Sequence, residues 1–375
     1  MPRVLLVVLL LGISACSDDG GDNTSNNGAV NNGANNGPAN NGADACGPDT
    51  PEACLYQPPS FEFEEPVEIT VRDPDRVGAP DREVFIAIRA PVDAPGPWPI
   101  VITSHGGSSG KRNAVTALQR WAEFAARRGF LAVSIAHPLR SDEEGAALCE
   151  ELDATDEQCG AFKYGNYDRP RDFARVVDTL EELADTEPWA GKYDLTKIVY
   201  LGHSAGAGAG QMVGGACRSY YSMFVGDESF CAPDPRPIAF VGLSPQGIGD
   251  DGFKEGSWVD LDRPFLIATG ANDGGADTGP IRRDGYYGSD DENQFLFYLN
   301  HPGAVHGLFG ENVGNEPCTR EIRDEPLCEA FDRWLRSTVA AFLDATLRDD
   351  PDARAWLRSD RILTAGAPHV EWDYR

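Results

Sequence analysis

The chain has 375 residues, 60 of them acidic and 32 basic, for a formal net charge of −28, and only five of the cations are lysines. So acidic a chain offers no clusters of Lys and Arg for phosphates, which excludes nucleic-acid binding as its role. Length and a 41% hydrophobic content suffice for one large α/β domain, while charge of this kind favours solubility and says nothing of fold.

The chain opens with Arg3, an apolar run from Val4 to Leu11, and the tetrapeptide Ile13-Ser14-Ala15-Cys16. The run is too short to span a bilayer as a helix, so it reads as a signal peptide rather than a membrane anchor. The tetrapeptide resembles the bacterial lipobox. That resemblance implies removal of residues 1–15, a diacylglycerol on Cys16 and membrane attachment through this lipid; ordinary cleavage leaving a free Cys16 is the alternative. Ser17 after the cysteine points to the outer membrane by the usual sorting rule. From Ser17 to about Ala45 the sequence is mostly Asn, Gly, Ala and Asp. Such a segment cannot bury enough surface to fold and reads as a flexible tether. The expected organisation is a signal peptide (1–15), a tether (16–49) and one globular domain (50–375).

Eight cysteines remain after Cys16. They form the neighbouring couples Cys46 and Cys54, Cys149 and Cys159, Cys217 and Cys231, and Cys318 and Cys328. An even remainder in an exported chain points to four local disulfides, although eight cysteines allow 105 connectivities. No CxxC or His-rich cluster is present, so the sequence carries no zinc-site spacing.

From about Glu62 strands alternate with helices. The expected strands are Val67–Arg72, Glu83–Arg89, Pro99–Ser104, Leu131–Ile135, Ile198–Leu201, Ile238–Leu243, Phe265–Thr269 and Phe295–Leu299. The middle ones are continuous apolar runs, the pattern of parallel strands covered on both faces. Helices are expected around Leu118–Ala125, stopping at Gly129; from a start at Asp168 and Pro170 through Leu180; and over Phe331–Phe342. The fold class is therefore α/β, with a mostly parallel central sheet of about eight strands and helices on both faces.

The strongest chemical signal is Gly202-His203-Ser204-Ala205-Gly206, directly after the strand ending at Leu201. It fits G-x-S-x-G in the required context of strand, sharp turn and helix, which holds a serine oxygen clear of the sheet above a helix N-terminus. A serine hydroxyl needs a base held by a third group. Asp273 follows the strand ending at Thr269, with Asp277 as its rival. His306 follows the next strand, with His301 as its rival. The expected triad is Ser204, Asp273 and His306. Ser104-His105-Gly106-Gly107 closes an early strand, so the main-chain N–H groups of Gly107 and Ala205 are the expected oxyanion donors, with His105 and His203 as structural neighbours.

These motifs resemble the α/β-hydrolase superfamily, and in particular the predicted dienelactone hydrolase and platelet-activating-factor acetylhydrolase-like group. Ser104-His105-Gly106-Gly107, Arg169-Pro170-x-Asp172, the pentapeptide around Ser204, Leu243-Ser244-Pro245-Gln246-Gly247, Ser257-Trp258, Thr269-Gly270-x-x-Asp273 and Gly303-Ala304-x-His306 carry the likeness over roughly 62–345. It implies hydrolysis of a small-molecule or lipid-like carboxylic ester by an acyl-enzyme route that needs neither metal nor cofactor. The sequence departs at the nucleophile, where dienelactone hydrolases have Cys and this chain has Ser204, which favours a generic esterase. Ala205 stands where a bulkier residue often follows the nucleophile.

Tyr164, Tyr167, Trp258, Tyr286, Tyr287 and Phe309 lie near the expected catalytic edge, and Trp258 and Phe309 are the candidates for substrate contact. The segments around Cys149/Cys159 and Cys217/Cys231 read as inserted loops that rim the cleft. The alternatives to a small-ester esterase are a cutinase-like polyester hydrolase and an inactive binding lipoprotein of the same fold. The sequence sets no oligomeric state.

Overall fold

The computed structural model describes residues 46–107, 110–222, 225, 228–289, 292–310 and 327–375. The expected signal peptide, Cys16, most of the expected tether and Cys318 lie outside the described residues, and with Cys318 the expected pairing of Cys318 with Cys328.

Nine strands form one sheet: β1 (Val67–Asp73), β2 (Arg82–Arg89), β3 (Trp98–Ser104), β4 (Leu131–Ala136), β5 (Tyr193–His203), β6 (Pro237–Leu243), β7 (Phe265–Gly270), β8 (Gln294–Leu299) and β9 (Val370–Tyr374). In these labels the spatial order is β9-β8-β7-β6-β5-β3-β4-β2-β1. Strands β3 to β8 are mutually parallel, while β1, β2 and β9 pair antiparallel with their neighbours.

Burial explains the composition. Every residue of β4, β7 and β8 is buried, because both faces are covered. Alternate residues serve opposite faces, as the two-residue strand period demands. Val101, Leu201, Val241 and Phe297 join one core with Trp121, Phe331 and Phe342. Ile102, Tyr200, Phe240 and Ile267 join the other with Phe173 and Val177. The helices on these faces include α1 (Gln119–Arg127), α4 (Tyr164–Leu183), α5 (Ala205–Gly214) and α8 (Cys328–Leu347); the shorter α2 (Asp142–Glu151), α3 (Asp156–Gly160), α6 (Asp284–Gly288) and α7 (His306–Phe309) lie in the connections.

Two expectations need correction. The sheet has a ninth strand, β9, whose Val370 and Trp372 are buried while Glu371 is exposed. Only the alternate residues Val370, Trp372 and Tyr374 pack on the core, so it carries no apolar run of the kind that marks the others. Helix α4 begins at Tyr164 rather than at Pro170, which sits inside it. Proline in a helix interior forfeits one main-chain hydrogen bond, and here burial of Tyr167, Phe173, Val176 and Val177 offsets that loss.

Three disulfides are formed among the described residues, Cys46–Cys54, Cys149–Cys159 and Cys217–Cys231. Cys328 is buried at the start of α8. No helix of the described residues is long and apolar enough to cross a membrane.

Candidate active site

Because β5, β6, β7 and β8 run parallel, the turns that leave them open on one edge of the sheet. Ser204 follows β5 at once and has φ 51° and ψ −120°, a region that a side chain other than hydrogen rarely enters. The flanking glycines are needed for close approach. A Cβ on Gly202 would land on the Gly206 carbonyl, and one on Gly206 would land on the Ser104 carbonyl. The turn is anchored by the Ser204 N–H, which donates to the Leu243 oxygen of β6 at 2.9 Å. Ser204 and Ala205 are only half-buried and line a cavity of about 440 Å³, together with Gly107. Three expected site residues thus share one cavity wall.

The acid and the base meet. His306 Nδ1 lies 2.6 Å from Asp273 Oδ1, and a carboxylate accepts, so Nδ1 carries the proton and Nε2 is the nitrogen left for chemistry. An isolated bridge pairs Asn272 with Val305, which sets the two loops side by side. Asp273 is fully buried. Its other oxygen accepts from Thr269 Oγ1 at 2.7 Å, and Arg282 Nε stands 3.2 Å from Oδ1. Burial alone would raise this carboxyl, but the His306 hydrogen bond and the Arg282 charge outweigh it and hold it below the usual carboxylate range. The rival Asp277 is exposed, and His301 packs against Phe331 and His369. Among the described residues no hydrogen bond joins Ser204 Oγ to His306. His203, the residue before Ser204, stands with its ring centroid 4.8 Å from that of His306.

The expected oxyanion turn is braced from behind. The Arg169 guanidinium donates to the main-chain oxygens of His105 and of Gly107, the latter at 2.8 Å. A second chain of the same residue types lies beneath it. Ser104 Oγ is 2.9 Å from His137 Nε2, and His137 Nδ1 is 2.9 Å from Asp172 Oδ2. Ser104 is fully buried inside β3, and Asp172 is already neutralised by Arg76 and Arg82. This second chain is therefore a structural brace, whose serine no substrate carbonyl can reach. Burial pushes His137 down to about 4, so its ring is neutral. In the sequence Asp172 shows only as part of a helix-start motif; Arg76, Arg82, Asp168 and Asp172 converge only once the fold forms.

The two residues expected to contact substrate lie in the core. Trp258 is 1% exposed and stacks on Phe253, and Phe309 is fully buried. Neither lines the cavity. Large apolar side chains are worth more inside the core than at a wet rim, and each found a core position within reach. Tyr167 and Tyr286 are likewise buried and Tyr287 is exposed, which leaves Tyr164 as the foreseen aromatic in the cavity wall. Phe162, Leu139, Arg140, Lys163, Asn166 and Gln246 join it there. Arg140 is held by both Asp168 oxygens at 2.8 Å, so its charge is largely spent within the protein.

The segments around the Cys149–Cys159 and Cys217–Cys231 bridges touch beside the cavity. Phe162, from the Cys149–Cys159 region, packs against Tyr220 and Tyr221 of the Cys217–Cys231 loop. Tyr220 stacks on Phe230 with centroids 4.2 Å apart. The wall residue Phe162 thus backs onto a small aromatic cluster of Tyr220, Tyr221 and Phe230 from the segment closed by Cys217–Cys231. No protein-family model matches this chain, and a search of curated proteins finds no match either.

Proposed function

We propose that the chain is a serine hydrolase of the α/β-hydrolase superfamily that cleaves carboxylic esters through an acyl-enzyme, exported and held at the bacterial envelope by a lipid on Cys16. The observation that carries the reading is the strained Ser204 turn in a cavity wall, one residue from a histidine packed on His306, with His306 paired to a buried carboxylate. The strand order, with β4 and β3 exchanged and β2 antiparallel, and the sequential supply of serine, acid and histidine from the ends of β5, β7 and β8 also support it.

In this reading Ser204 Oγ attacks the ester carbonyl carbon while its proton passes to His306 Nε2. The carbonyl oxygen takes the negative charge and accepts from the Gly107 and Ala205 N–H groups. Collapse expels the alcohol, which recovers the proton from His306, and water repeats the cycle to release the acid. Serine–histidine contacts in such sites commonly tighten only once substrate is bound. A panel of p-nitrophenyl esters from acetate to long acyl chains, run on wild type and Ser204→Ala, tests the reading together with fluorophosphonate labelling. Turnover and labelling that vanish in Ser204→Ala support it; an unlabelled wild type without turnover refutes it. For the anchor, labelled palmitate should enter the wild type and not Cys16→Ser.

A further inference from the structure

We propose that His105 and Arg169 are positioning residues that aim the Gly107 N–H at the developing oxyanion, a role that rests on the esterase reading above. The peptide joining Gly106 to Gly107 is planar and trans, so its C=O and its N–H point in opposite directions. Whatever holds the Gly106 oxygen therefore sets the direction of the Gly107 N–H. His105 Nδ1 lies 2.7 Å from that oxygen.

The tautomer follows from the partners. A carbonyl only accepts, so the proton is on His105 Nδ1. On the other side of the ring the His137 main-chain N–H approaches Nε2 at 3.2 Å, and an N–H only donates, so Nε2 is bare. Both contacts require the same neutral ring. Burial and the nearby Arg169 charge push His105 far below the ordinary imidazole range, which keeps it neutral through the working pH.

Arg169 holds the peptides on either side. Its fork closes on the His105 and Gly107 oxygens, so the carbonyls flanking the Gly106 peptide both face the buried guanidinium. Gly107 has φ +83°, a conformation open to glycine at little cost, and the clamp selects it from the several that glycine can adopt. The turn is thereby preorganised before substrate arrives, which is the condition for an oxyanion donor to lower a barrier. His137 links the two braces, since its main chain holds His105 while its ring joins Ser104 to Asp172.

The test compares His105→Gln with His105→Asn. Both replace the ring by a buried amide, but the Asn side-chain N–H falls where Nδ1 stood and the longer Gln reaches beyond it. Loss of one oxyanion donor costs about 10²–10³-fold in kcat. His105→Gln is expected to lose about 100-fold in kcat with KM within about threefold, and to bind an aryl trifluoromethyl ketone more weakly by the same factor. His105→Asn should recover at least about tenfold of that loss. Should either amide fail to fold, Arg169→Lys, which keeps the charge and loses the fork, should give the same kcat-only loss. Equal activity of the two amides, a loss carried by KM, or inhibitor affinity that does not follow kcat overturns the role. A wild type without Ser204-dependent turnover would instead sink the esterase reading, and the positioning role with it.

Discussion

His203 spans the serine turn and the histidine loop: its Nε2 donates to the His306 main-chain oxygen at 3.3 Å, and the two rings stand 4.8 Å apart. Its ring fills the space against Gly106 and Gly310, where an added Cβ would strike it. Burial and the adjacent His306 push it down to about 3, so it is a neutral spacer rather than a base. Replacing it by Ala removes a buried hydrogen bond and the packing beneath His306. Urea unfolding should show a loss of about 2 kcal/mol, and kcat should fall by at least about tenfold as His306 loosens. A variant with unchanged kcat would mean that His306 is held by Asp273 alone.

Under the esterase proposal, variants of Ser204, Asp273 and His306 are expected to act as a unit. Ser204→Ala and His306→Ala should each lower kcat by about 10⁴–10⁶-fold, and the double variant scarcely more. Asp273→Asn should cost about 10⁴-fold, because the amide presents the wrong partner to Nδ1 and no longer stabilises the imidazolium. Steady-state kinetics with p-nitrophenyl acetate measure all four.

Ser204 holds a backbone conformation that glycine tolerates far better. Such strain costs about 1–3 kcal/mol. Ser204→Gly should therefore raise the unfolding free energy by about 1 kcal/mol while abolishing labelling and turnover. Thermal and urea denaturation beside fluorophosphonate labelling check both halves. A destabilised glycine variant would show that the turn is not strained.

Acid should destabilise the fold well above the carboxylate range. His105, His137 and His203 are all buried, and burial lowers each below the ordinary imidazole value. The unfolded chain takes up these protons as pH falls below about 6.5, while the folded chain resists until about 4 for His137 and about 3 for His203. Stability is thus fully present above the unfolded value and declines on the way down. Three groups at about 1.4 kcal/mol per pH unit each give a slope of about 4 kcal/mol per unit near pH 5. Urea midpoints measured between pH 7 and 4.5 should fall accordingly, and His137→Gln should remove about a third of the slope.

The aromatic wall should answer to its disulfides. Cys149–Cys159 and Cys217–Cys231 clamp the loops that carry Phe162, Tyr220 and Phe230. Mild reduction, or the Cys149→Ser/Cys159→Ser pair, should change the ratio of kcat/KM for long over short acyl esters by more than about fivefold, since one methylene in a well-formed pocket is worth about tenfold or more. Unchanged selectivity would remove these loops from substrate recognition.

How much was legible in the sequence depended on how local the cause was. The middle strands announced themselves as apolar runs because a strand covered on both faces has no polar side to show. The serine turn was readable since its requirements fall within five residues, Gly202 to Gly206, and Asp273 and His306 followed from the strands that deliver them. Strand β9 was not readable, because only alternate residues of so short a segment meet the core.

Chain order alone determined the class of sheet, the Ser204 turn and the placing of Asp273 and His306 after successive strands, all of which arise from neighbouring residues and the periods of helix and strand. Only the assembled fold decided that Trp258 and Phe309 go to the core, that Tyr164 and Phe162 form the wall, and that His105, His137, Arg169 and Asp172 brace the turn from below. Burial and hydrogen-bond partnership belong to pairs far apart in the chain, so no window of sequence contains them until the sheet brings those pairs together.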